Sequence, residues 1–178
     1  MDRDDWEAVT VEAIAGKAEY AKGTVYRHFA SKDDLLARLV ADWTAGTCAA
    51  LEALDAGRPF EAVLRDVVAV SWQRLTADRV HARLLLHVQR ADFLARLAPE
   101  SRAALAEVDA RILGLVAGLI DWDIAEGAIP RAPLEPRLFA VTSILMGALR
   151  LHPLWSGPGG IADPERVIGD AVLAILGA

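Results

Sequence analysis

Lys17, Lys22, Arg27, His28 and Lys32 crowd, with Tyr20 and Tyr26, into one short stretch of a chain whose formal net charge is −6. Cationic side chains hold phosphate oxygens, and lysine or arginine can also donate to the guanine edge. A charge run taken alone describes a solvated helix face more often than a binding site, so the spacing has to carry the argument. Ser71, His81, His87 and Asp92 are the residue types of a hydrolytic triad, yet neither a nucleophile elbow nor an oxyanion signature accompanies them. They read as polar residues on half-buried helices, and no catalytic residue is expected. Cys48 is the single cysteine, and no run of Cys or His has ligand spacing. No metal, disulfide or cofactor is expected, in keeping with a reducing, cytoplasmic setting.

The elements that must position these groups are helical. Phe60, Val63, Leu64, Val67, Ser71, Trp72 and Leu75 step by three and four, as do Leu84, His87, Val88, Ala91 and Leu94, and no segment alternates with period two. Breaks fall at 55–59, Asp78, 98–100, 126–133 and 156–164, where Pro, Gly and Asp gather. The spacing predicts helices near 11–17, 21–28, 32–54, 60–76, 79–96, 100–126, 134–152 and 164–176, an all-α chain. With 178 residues, 54% of them hydrophobic, and a mean hydropathy of +0.28, it has enough apolar material for a small module joined to a larger bundle. The charged start "MDRDDWEA" is not a signal segment, and the apolar runs fall short of the ~20 residues a membrane span needs.

Thr10 is placed to cap the first short helix, with Val9 and Ile14 as a hydrophobic staple. Ile14, Ala15 and Ala18 line one face. In the second short helix Val25 and Phe29 face inward, leaving Lys22, Thr24, Tyr26, Arg27 and His28 to point elsewhere. Ser31 and Asp34 form a capping box that opens the next helix and leaves Lys32 in its first turn. Two short helices at a steep angle with a basic second helix make a helix-turn-helix, whose second helix enters the DNA major groove.

The string "TVEAIAGKAEYAKGTVYRHFASKDDLL" resembles the DNA-binding signature of the tetracycline-repressor (TetR) family, through Thr10, Ile14, Ala15, Ala18, Gly23, Thr24, Tyr26, His28, Phe29, Lys32 and Leu35. The resemblance implies that Lys22, Thr24 and Arg27 meet base edges. It also implies that Thr10, Tyr26, His28 and Lys32 hold phosphates, with Gly23 letting the helix approach the DNA backbone. Glu19 stands where the family has a turn glycine, and a left-handed residue there costs roughly 1–2 kcal/mol. Tyr20 replaces a small aliphatic residue, and Ala21 replaces the capping serine, a loss of about 1 kcal/mol. "DDWEAVT" resembles the link that follows the family's first helix, with Asp5 in place of a glycine. The module therefore reads as incomplete, with a start expected upstream, and Ile14, Val25 and Phe29 are expected to lack part of their cover.

The expected organisation is an N-terminally truncated DNA-binding domain over 1–45, followed by a ligand-binding and dimerisation domain over 46–178. A pocket is expected among Trp72, His87, Phe93, Trp122 and Phe139. Leu138, Leu145, Leu149, Ile168, Val172 and Ile175, on the two most apolar helices, are expected to form a four-helix homodimer interface. The resemblance implies a ligand-responsive regulator, most often a repressor, released from a palindromic double-stranded DNA operator by a small apolar effector. The alternative is a dimeric small-molecule-binding protein that has lost DNA binding.

Overall fold

A computed structural model describes residues 9–157 and 159–178, and among these every regular element is helical. The order is α1 (Val11–Lys17), α2 (Lys22–His28), α3 (Lys32–Glu52), α4 (Phe60–Thr76), α5 (Arg79–Val88), α6 (Ala91–Leu94), α7 (Pro99–Glu126), α8 (Leu134–Trp155) and α9 (Pro164–Leu176). The segment expected as one helix over 79–96 divides. Arg90 leaves helical dihedrals at ψ 137°, so that Phe93 turns inward, fully buried and edge-on to His87 with ring centroids 5.1 Å apart. Helix α8 continues past its expected end because Pro153 falls in the last turn, where few hydrogen bonds remain to lose.

The described residues form two compact units. The first joins residues up to Thr44 with 79–108, so α5 and α6 group with the helices expected to stand alone as a 1–45 module. A buried tie in it runs between distant segments. Asp34, 3% exposed, accepts from the backbone N–H of Ala98 at 3.0 Å and from Ser31 Oγ at 2.6 Å. Burial pushes this carboxyl upward, but the hydrogen bonds from Ser31, Ser101 and Ala98 outweigh burial and hold it below the ordinary carboxylate range.

The second unit comprises 45–78 and 109–178. Helix α9 packs on α4 and α8. It opens with Asp163 accepting from Arg166 N–H at 3.0 Å and Pro164 in its first turn, and it closes on Gly177 at φ 81°. Leu64, Val68 and Trp72 of α4 and Ile168, Val172, Leu173 and Leu176 of α9 are buried, each such side chain contributing about 1.5–3 kcal/mol of transfer free energy. Around that core Arg65 bonds to Glu61 and Asp170, and Arg137 Nη2 donates to Leu176 O at 3.1 Å.

This packing takes part of the expected interface into the chain's own core. Leu149, Ile168 and Val172 are 2%, 5% and 1% exposed within one chain, because α4 and α8 already cover that side of α9. Leu138 and Leu145 are half-buried, and Ile175 alone of the six is exposed. Among the described residues of α8, α9 and the segment between them, the uncovered large apolar side chains are Phe139, Leu151, Leu154, Trp155, Ile161, Val167 and Ile175. The expectation on membrane length is also revised: Leu134–Trp155 is long and apolar enough to cross a membrane by length and composition, with 11% of its apolar window buried.

Candidate functional site

Helix α1 is short because both ends are fixed locally. Thr10, extended at φ −110°, accepts from Ala13 N–H at 3.2 Å, which leaves its hydroxyl proton free to be donated elsewhere. At the other end Tyr20 N–H donates to Ala15 O at 2.9 Å and Glu19 N–H to Gly16 O at 3.3 Å. That pair of bonds is a Schellman closure, whose left-handed residue is usually glycine. Glu19 fills it at φ 58°. The strain expected at this residue is present, and so is the missing cap on α2: Ala21 offers no side-chain acceptor.

Helix α2 buries none of its residues, and Val25 and Phe29 are half-buried, as is Ile14. Lys22, Gly23, Tyr26, Arg27 and His28 are exposed, and Thr24 is half-buried. Two internal contacts order this face. Arg27 Nη2 donates to Thr24 Oγ1 at 3.2 Å, one turn back. Lys22 Nζ lies 5.6 Å from the Tyr26 ring centroid and pairs with Glu12 of α1. The hydrogen bond between them raises the Lys22 amine and lowers the Glu12 carboxyl. A Cβ added at Gly23 would meet no atom within 4 Å, so nothing inside the protein requires a glycine there. Asp34 N–H donates to Ser31 Oγ at 3.1 Å, the expected capping contact, and Lys32 follows it half-buried in the first turn of α3. The structure therefore brings the cationic and hydroxyl groups of α2 onto one accessible helix, with Thr10 at the start of α1 and Lys32 at the start of α3. Of the stretch "DDWEAVT" read as a link, residues 4–8 lie outside the described residues.

Of the five expected pocket residues two belong to the first unit and three to the second, and those three do not share one cavity. His87 and Phe93 touch each other in the first unit. Burial lowers the His87 imidazole, and Arg90 nearby lowers it further. Trp72 is buried against His152 in the second unit, edge-on at 5.2 Å, in a cleft of about 330 Å³ with Leu151, Trp155, Ile161 and Val167. Phe139 is 76% exposed, for α8 turns it away from α4 and α9. Only Trp122 lines the larger cavity.

That cavity holds about 610 Å³ and lies among Leu51, Leu54, Val63, Val67, Leu115 and Leu119, with Ala56, Gly57 and Gly118 leaving room where larger side chains would fill it. Glu52 is the one charged residue of its lining, and Arg111 neutralises it through bonds of 2.8 and 2.5 Å that hold the carboxyl below its ordinary range. Sequence reasoning followed aromatic residues and missed these aliphatic ones. The available signal was Gly118 between Leu115 and Leu119, a small residue that shares the lining with the small pair Ala56-Gly57.

Residues 1–39 match the family described as bacterial regulatory proteins, tetR family. Among curated proteins none matches the sequence. Solved structures share the fold. A bacterial regulatory protein in the tetR family from Rhodococcus RHA1 is 21% identical with a TM-score of 0.75, covering 97% of this chain and 88% of its own. The transcriptional regulator FadR from Bacillus subtilis, in complex with stearoyl-CoA, is 18% identical with a TM-score of 0.75 over 97% and 90%. AibR, in complex with isovaleryl coenzyme A and operator DNA, is 14% identical with a TM-score of 0.69 over 97% and 90%.

Proposed function

We propose that this chain, a TetR-family protein by its N-terminal module and its fold, is a ligand-responsive transcriptional regulator that represses from a palindromic operator and leaves it when a small apolar effector binds. The observation that carries the reading is the accessible face of α2, where Lys22, Thr24, Tyr26 and Arg27 are ordered by one another and Gly23 keeps the backbone open to close approach. Lys22, Thr24 and Arg27 take base edges, while Thr10, Tyr26, His28 and Lys32 take phosphates. The effector site is the 610 Å³ cavity, of a size that suits a small ligand. Its single charge is balanced by Arg111, which supports an occupant whose buried part is neutral and apolar. FadR and AibR were each solved with an acyl-CoA, and an acyl chain has that character.

The homodimer is part of the same proposal, through the uncovered face of Phe139, Leu154, Val167 and Ile175 on α8 and α9. A two-fold pair sets the separation of two recognition helices, and an effector that binds one separation better opposes DNA by linkage. The test is fluorescence anisotropy of short duplexes enriched by the chain from a random pool. Binding that falls linearly in log–log form with salt and is relieved by an acyl-CoA supports the reading. A second reading, an effector-binding dimer without DNA affinity, is favoured by uncapped Ala21 and by Glu12 beside the recognition helix. It holds if no duplex is enriched while the cavity still takes a ligand.

A further inference from the structure

Lys22 is the first residue of α2, where it projects with Tyr26, and its ammonium is held by a carboxylate from the other helix of the pair. Glu12 lies in the first turn of α1, and the two side chains are 54% and 53% exposed. The pair is thus reachable by a duplex lying along α2. An exposed ion pair of this kind is weak in water, so it adds little to the fold. Its position matters more, because it puts a fixed negative charge on the surface that the proposed role gives to DNA. Lys22 can take an acceptor from DNA only by leaving Glu12, and Glu12 is then left facing the phosphates.

We infer that Glu12 is an intramolecular competitor of DNA that acts through Lys22 and limits what the lysine contributes to binding. It occupies the ammonium in the free protein, so that any DNA acceptor has to displace it. A random duplex offers Lys22 a phosphate oxygen, no better than the carboxylate it already has. A guanine that presents O6 and N7 together offers two acceptors, each already positioned. The carboxylate therefore lowers binding to every sequence, and lowers it on the guanine site at least as much as on a random one, because that complex must break the pair in full. Tyr26 assists by holding the lysine stem over its ring in either state.

This inference rests on the DNA-binding reading, and the experiment separates the two. Four full-length chains are compared, wild type, Glu12→Gln, Lys22→Gln and the double variant, each against a random-sequence duplex and the duplex enriched by the wild type, across a salt series. Glu12→Gln is expected to raise affinity for the random duplex roughly two- to fivefold, the fold-change that corresponds to releasing one exposed ion pair. It should also steepen the salt slope by about 0.9, one added phosphate contact. The enriched duplex should gain at least as much, so discrimination should not fall, and in the Lys22→Gln background the replacement should change neither slope nor affinity. An equal gain in both backgrounds makes Glu12 a bare repulsive charge and overturns the inference while leaving DNA binding intact. If none of the four chains binds either duplex at low salt, the DNA-binding reading fails and the inference falls with it. Thermal unfolding of all four chains at a common temperature excludes loss of the module as the cause.

Discussion

The Asp34 carboxylate and the backbone N–H of Ala98, distant in sequence, meet at 3.0 Å inside the first unit. One oxygen of Asp34 thus fixes the start of α7 while the other closes the cap of α3 with Ser31. A residue that reads in sequence as a cap serves as a tie between two chain segments.

Replacing Asp34 with Ala strands the Ala98 N–H and removes the partner of the Ser31 hydroxyl, and the expected loss is about 1–3 kcal/mol of stability. The pH dependence has a fixed sign. The folded pKa is depressed below an unfolded value near 3.9, so this contribution is complete above about pH 4 and disappears as pH falls through the folded pKa. Acid titration of the wild type should show a destabilising limb below pH 4 that is shallower in Asp34→Asn. An identical acid limb in both would remove Asp34 from the account.

Glu19→Gly should stabilise the protein by about 1 kcal/mol, since glycine adopts φ near 58° without the Cβ cost. Ala21→Ser should add a similar amount by supplying the missing acceptor at the head of α2. Denaturant midpoints at constant m report both. A destabilised Glu19→Gly chain would mean that the glutamate side chain makes a contact worth more than its strain.

Gly23→Ala separates folding from recognition. The added methyl meets nothing in the protein, and alanine favours the helix by up to about 1 kcal/mol, so thermal stability should hold or rise. Affinity for the enriched duplex should nevertheless fall at least tenfold, about 1.4 kcal/mol, because the methyl stands between α2 and the DNA backbone. Unchanged affinity would place the duplex elsewhere.

Phe139→Glu or Leu154→Glu should give a folded monomer with unchanged helical content, as both side chains are 76% exposed. Val172→Glu should instead unfold the second unit, since Val172 is 1% exposed against α4. Light scattering with circular dichroism distinguishes them. A wild-type mass of 19.1 kDa at micromolar concentration would end the dimer proposal.

Most helix boundaries were legible because Pro59, Pro99, Pro133 and Pro164 punctuate the chain beside Gly and Asp. The break at Arg90 was not, for neither Gly nor Pro marks it and only the burial of Phe93 explains it. The caps at Thr10 and Ser31 and the strain at Glu19 follow from local spacing, and the structure has them. Burial on α8 and α9 could not be read the same way. On α8 apolar residues surround the helix, so periodicity marks no inner face, and on α9 they form a stripe so wide that the choice between Val172 and Ile175 is made by where α4 lies. The Glu12–Lys22 pair was missed for a related reason: it depends on the crossing of α1 and α2.

Trp122 stands 63% exposed while its ring lines the apolar cavity. An indole in that position emits at long wavelength while water reaches it, and it shifts to the blue when an apolar guest displaces that water. Trp72, already buried against His152, emits from a dry environment whether or not the cavity is filled. The protein therefore carries a native optical gauge of occupancy, and Trp122→Phe, by silencing the response, would locate the guest without any label.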